Sequence, residues 1–212
     1  MLDQFLVALA LAGAVPATSS PDSHAAGPAV VTLDQDQARK FMDDFARCIA
    51  SRQASRAAAV LAMPYGSPEQ QDAAGDLAER QVACLGPYSG NLQLSFGAQS
   101  MAAGMAEYFI LNPDKIADVR RREPHAFAYA QPVGLETFGA CVVGQNPGAV
   151  AALVRTDVAS PAETAATDAL AHELAQCIAE GETLALDRPA LRQLLAVSLY
   201  RHLATPPPPA QP

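Results

Sequence analysis

Four cysteines constrain this chain more than any other feature: Cys48, Cys84, Cys141 and Cys177 form two pairs, each separated by 36 positions. The equal spacing invites a comparison of the two halves at an offset of 93. Aligned without a gap, residues 45–84 and 138–177 are identical at ten of forty positions. These include Phe45/Phe138, Cys48/Cys141, Ser67/Ser160, Pro68/Pro161, Leu77/Leu170 and Cys84/Cys177. Past the second cysteine, dropping one residue carries the match on, so that Leu92-Gln93-Leu94 meets Leu184-Ala185-Leu186 and Tyr108 meets Tyr200. Such self-similarity predicts an internal duplication, with units at about 41–111 and 134–204.

The duplication also bears on cysteine pairing. Four cysteines allow three connectivities, which spacing alone does not separate. A single ancestral unit with two cysteines would have joined them to each other, so the expected bridges are Cys48–Cys84 and Cys141–Cys177. Each closes a loop of 36 positions, for which chain entropy gives about 4 kcal/mol.

Composition decides what the units are made of. Half of the 212 residues are apolar, aromatics are 6 %, and tryptophan is absent. The apolar share leans on alanine and leucine, which lose little on entering a helix, whereas strands favour β-branched and aromatic residues. The expected fold is all-α: two similar disulfide-stapled units of about four helices each, arranged in tandem or about a pseudo-twofold.

Within a unit the helix signals recur. Phe41, Phe45 and Cys48 share one helical face, and the second copy presents Phe138, Cys141 and Val142 before Asn146-Pro147 ends the helix. Short apolar segments follow at 57–61 and 150–154. Ser67-Pro68-Glu69-Gln70 and Ser160-Pro161-Ala162-Glu163 then read as two capping boxes, each with proline at the first helical position. The helices they open should end near Cys84 and Cys177. Ser95 and Asp187 are candidate N-caps for the closing helices, which carry Met101, Met105 and Tyr108, or Leu191, Leu194, Leu195, Leu199 and Leu203.

The chain ends read differently. Residues 5–15 (FLVALALAGAV) are uncharged and apolar, long enough for a signal-peptide core and short of the roughly 20 residues that span a bilayer. Cleavage is expected after Ala14 or Ala17, although Asp3 and the lack of Lys or Arg before it are atypical. Residues 1–17 are thus assigned to the signal peptide, 18–33 to a flexible leader, 34–111 to unit 1, 112–133 to a linker and 134–204 to unit 2. The tail, 205–212 (TPPPPAQP), is proline-rich and expected to be disordered. In the linker, the run Arg120-Arg121-Arg122 is expected to be solvated and protease-sensitive.

The closing helix of the second copy, Leu191-Arg192-Gln193-Leu194-Leu195-Ala196-Val197-Ser198-Leu199-Tyr200-Arg201, follows a cysteine set after an acidic, alanine-rich helix. In this the chain resembles a group of uncharacterised small exported bacterial proteins with a duplicated two-cysteine helical unit. The first copy departs from the pattern, ending Glu107-Tyr108-Phe109. The resemblance implies export and the helical fold, and no activity, ligand or catalytic residue.

A net charge of −8 argues against nucleic acid and anionic membrane surfaces as partners. Catalytic patterns are thin. His172-Glu173 opens a zinc-helix motif, but Gln176 stands where the second histidine belongs. The chain has no Gly-x-Ser-x-Gly elbow, no Cys-x-x-Cys and no phosphate-binding glycine loop. Asp43-Asp44 and the Glu180/Glu182 pair read as solvated acids. No catalytic residue, metal or cofactor is therefore assigned. Tyr108 and Tyr200, equivalent in the repeat, are candidates to line a seam between the units with their hydroxyls at its edge.

Three readings follow. The preferred one is an exported, non-enzymatic module that meets a protein or envelope component. A small-molecule or lipid carrier with an apolar cavity between the units is the alternative, and a hydrolase the third.

Overall fold

In the computed structural model, residues 33–88, 97–127, 129, 131–179, 181 and 183–205 are described. The signal peptide, most of the leader and nearly all of the tail lie outside them, as do the Leu92-Gln93-Leu94 segment, Ser95 and the Glu180/Glu182 pair.

Among the described residues the fold is all-α. Helix α1 (Gln35–Arg52) starts at Asp34, whose carboxylate accepts from Gln37 N while the Gln37 side chain accepts from Asp34 N. Its chain breaks at Gln53 and continues as α2 (Ala54–Ala62). Ser67 caps α3 (Pro68–Glu79), which leads into a 3₁₀ segment (Val82–Tyr88) carrying Cys84. Helix α4 (Ala98–Leu111) follows.

The second half runs α6 (Leu135–Gln145), α7 (Pro147–Val154), α8 (Pro161–Asp168), α9 (Ala171–Gln176) and α10 (Arg188–Ala204). Ser160 caps α8 and Asp187 caps α10. Between the halves, α5 (Pro113–Arg122) and a 3₁₀ turn (Pro124–Phe127) bury Ile116, Val119 and Phe127.

Four expectations need correction. The N-cap of α4 is Gly97, not Ser95, and makes no side-chain cap. The helix opened by Ser160 is broken at Ala169-Leu170 into α8 and α9, with Leu170 fully buried. The Gln and Glu of the two capping boxes reach past the cap to the preceding residue: Gly66 N donates to Gln70 Oε1 and Ala159 N to Glu163 Oε2. Leu203 is exposed.

The arginine run of the linker divides. Arg121 and Arg122 are exposed as expected, but Arg120 is half-buried and its Nη2 donates to Ala204 O at 2.5 Å.

The core is one cluster centred on α4 and α10, which pack side by side; α1 covers the outer flank of α4, and α6 that of α10. Small residues let these helices approach closely. A Cβ on Gly104 would lie 2.7 Å from the Ala46 Cβ, and one on Gly139 would overlap Ser198 Oγ. Cys48 is bonded to Cys84 and Cys141 to Cys177, with Cα separations of 5.7 and 5.8 Å. Each bridge ties the first helix of a half to the segment before its closing helix. Such bridges point to an oxidising environment. Among the described residues no single helix is long and apolar enough to cross a membrane; α6 and α7 would do so only together, and they are bent by 105°.

Candidate functional site

The most concentrated chemistry lies where α1, α4 and α10 meet. Four-residue spacing puts Arg39, Asp43 and Arg47 on one face of α1, turned toward Glu107 of α4 and Arg192 of α10. Glu107 is 2 % exposed and Arg192 3 %. A charge that deep is costly unless it is paired and hydrogen-bonded, and both are.

Arg192 Nε donates to Glu107 Oε1 at 2.8 Å and Nη2 to Glu107 Oε2 at 2.9 Å, the forked geometry in which arginine–carboxylate pairs are strongest. Its remaining donors go to Leu153 O, Val154 O, Thr156 O and Thr156 Oγ1 at 2.9–3.2 Å. Those carbonyls close α7, so the guanidinium also caps the negative end of that helix. Arg47 Nη2 reaches Glu107 Oε2 at 2.5 Å and Asp43 Oδ2 at 3.0 Å. Arg39 pairs with Glu163 of α8 at 2.7 Å.

Asp43 is the titratable member. Burial first, and then the nearby Glu107 carboxylate, push its pKa up to about 7, against the opposing pull of Arg47 and Arg192. A cavity of about 260 Å³ opens beside it, lined in part by Arg39, Asp43, Ser100, Glu107, Arg192 and Gln193.

A second cluster lies on the opposite flank of α10. Glu136 of α6 accepts from Arg201 Nη1 and Tyr65 N, both at 2.5 Å. Arg201 also donates to Leu61 O at 3.1 Å and Met63 O at 2.5 Å, closing the end of α2. A cavity of about 310 Å³ adjoins it, lined by Phe127, Tyr129, Glu136, Ser198, Arg201 and His202 among others.

The tyrosines expected at a seam are separated by a phenylalanine. Tyr108 is partly buried, edge-on to Phe109 at 5.5 Å, and the Phe109 ring stands 5.2 Å from that of Tyr200. Tyr200 is fully buried and meets Tyr129 instead, edge to face at 6.3 Å. His172 is exposed and contacts Gln176. No cluster of three His, Cys, Asp or Glu side chains with metal-binding spacing occurs among the described residues.

Sequence reasoning missed both charge clusters. One signal was present: Glu107 is the only charged residue in the apolar helix AQSMAAGMAEYFIL, and a lone acid there calls for a buried partner. Comparison with protein-family models, curated proteins and solved structures found no match to the chain.

Proposed function

We propose that the protein is an exported, non-catalytic helical module, built from two copies of one disulfide-closed cassette and clasped into a single body that meets a protein or envelope component. The observation that carries this reading is the full commitment of Arg192. Its donors are all spent on Glu107 of the other copy and on the α7 terminus, so the deepest charges of the cleft hold the fold together rather than wait for a substrate.

Support for the duplication is conformational as well as compositional. Gly66 and Ala159, at the offset of 93, both have positive φ, and the hydrogen bonds from their N–H groups go to the equivalent Gln70 and Glu163. Leu61 and Met63 accept from Arg201, and their counterparts Val154 and Thr156 accept from Arg192. The two glycines at which an added Cβ would meet another side chain most tightly are Gly104, against Ala46, and Gly139, the counterpart of Ala46, against Ser198. Export is supported by the apolar segment at 5–15 and by the two bridges, which persist in oxidising compartments. The resemblance to exported bacterial proteins points the same way.

The test is photocrosslinking of the full chain in a bacterial host, with the probe at exposed Val82 or Val133. The expected result is recovery outside the cytoplasm, crosslinked to an envelope protein. Retention in the cytoplasm with free thiols would contradict the reading.

A further inference from the structure

The proline-rich tail and the cavity on the α6 flank of α10 meet at one residue. Thr205 lines that cavity of about 310 Å³, and Pro206-Pro207-Pro208-Pro209 follow it in the chain. The residues after Thr205 lie outside the described ones, but the point from which they start is set. Thr205 closes α10 at φ −72° and ψ 125°, the extended backbone that a following proline favours and from which a polyproline II helix continues.

The cavity wall has a surface that proline fits. Phe127 and Tyr129 both line it and stand edge to face at 85°, their ring centres 6.4 Å apart. Pro132 and Val143 extend the apolar surface. Aromatic-lined grooves receive proline-rich segments, which arrive already extended and lose little entropy on docking.

Polar groups sharpen the match. A run of prolines carries carbonyl acceptors and no N–H donor. Around the cavity, Arg201 and Glu136 are spent on each other and on backbone groups of residues 61–65. Gln131, Ser198 and His202 also line it, and their side chains hydrogen-bond to no other described residue. Each of the three can donate to a carbonyl.

We propose that the cavity between α6 and α10 is a docking site for the chain's own tail, with the prolines of 206–209 seated against Phe127 and Tyr129 and their carbonyls facing Gln131, Ser198 and His202. Reach is ample, because four prolines extend about 12 Å and Thr205 already stands at the rim. A short tether holds such a segment at an effective concentration on the order of millimolar. Even a weak contact with the groove is then made within one chain before it is made with a free peptide. Docked in this way, the tail closes the groove to proline-rich segments of other proteins. The inference does not rest on export or on duplication.

The test is NMR of the His202 ring in the full, disulfide-intact protein, with its signal identified by its loss in His202→Gln. A variant carrying Pro206→Ser, Pro207→Ser, Pro208→Ser and Pro209→Ser together alters no described residue, and its His202 signal is expected to move. Adding the peptide TPPPPAQP should return that signal toward the wild-type position, whereas the wild type should need roughly tenfold more peptide to respond. Ala140 is exposed and lines the cavity; in an Ala140→Arg background the serine replacements should no longer move the signal. A shift that depends on protein concentration would overturn the proposal in favour of the tail of a second copy. Equal responses of wild type and serine variant to the peptide would overturn it in favour of a partner's proline-rich segment. A signal identical in both and unmoved by the peptide would overturn it in favour of solvent.

Discussion

Gly66 and Ala159 hold the same unusual backbone conformation, φ +74° and +56°, each immediately before the serine that caps a helix. Glycine adopts it freely, whereas an L-residue there is strained by roughly 1–2 kcal/mol. Ala159→Gly should therefore stabilise the protein by about 0.5–1 kcal/mol once the added freedom of the unfolded chain is subtracted. Gly66→Ala should destabilise by about 1–2 kcal/mol, since its Cβ would also crowd Gln99 Nε2 at 3.1 Å. Urea unfolding of both variants checks the opposite signs.

The Glu107–Arg192 pair is expected to be strongly asymmetric in its response. Glu107→Ala removes the forked partner of a buried guanidinium, leaving it only the longer Glu163 contact at 3.8 Å, and should cost about 3–5 kcal/mol. A Glu107→Leu/Arg192→Met double variant removes both charges and should recover more than half of that loss. Equal destabilisation of single and double variants would mean that the pair is not coupled.

Asp43 sets a pH dependence whose sign is unusual for a carboxylate. Its pKa is raised from 3.8 to about 7 on folding, so the folded chain holds this proton more tightly than the unfolded one. Below pH 4 the group is protonated in both states and costs nothing. The penalty grows as pH rises through the window from 4 to 7 and is complete above it. This residue should therefore lower stability by on the order of 2 kcal/mol between pH 5 and pH 8. Asp43→Asn should flatten that slope and exceed the wild type at pH 8, as read from urea midpoints across the range. A wild-type stability that rises relative to Asp43→Asn over the same window would contradict the assignment.

At the α1–α4 crossing, Gly104→Ala places its Cβ against Ala46 and the backbone of Asp43, an overpacking expected to cost about 1–3 kcal/mol. Moving the small residue to the other helix, as the second half does at Gly139, should restore part of it. Thermal unfolding of the Ala46→Gly/Gly104→Ala variant is expected to fall between the single variant and the wild type.

Much of the helical skeleton was legible because its signals are short-range. Ser67, Ser160 and Asp187 cap helices by reaching amides three residues on, a relation that local sequence contains. The all-α fold followed from alanine, leucine and the period of the apolar residues. Helix α5 was missed because its amphipathic signal was short, and its last residues, Arg120 to Arg122, read as a solvated run; Ile116 and Val119 reveal their role only once a core exists to bury them. The charge clusters were missed for a different reason. Glu107 and Arg192 are 85 positions apart, and no local rule joins them. Tyr200 was singled out, but its neighbour is Tyr129 rather than Tyr108, because Phe109 of α4 fills the space between the two expected partners.

The most direct measurement of the central claim is the intact mass and non-reducing peptide map of the protein recovered from the extracytoplasmic fraction of a bacterial host. The account predicts a chain beginning at Val15 or Thr18, four hydrogens lighter than its reduced form, with peptides linking Cys48 to Cys84 and Cys141 to Cys177. A chain that keeps Met1, carries free thiols, or links a cysteine of one half to a cysteine of the other would contradict it.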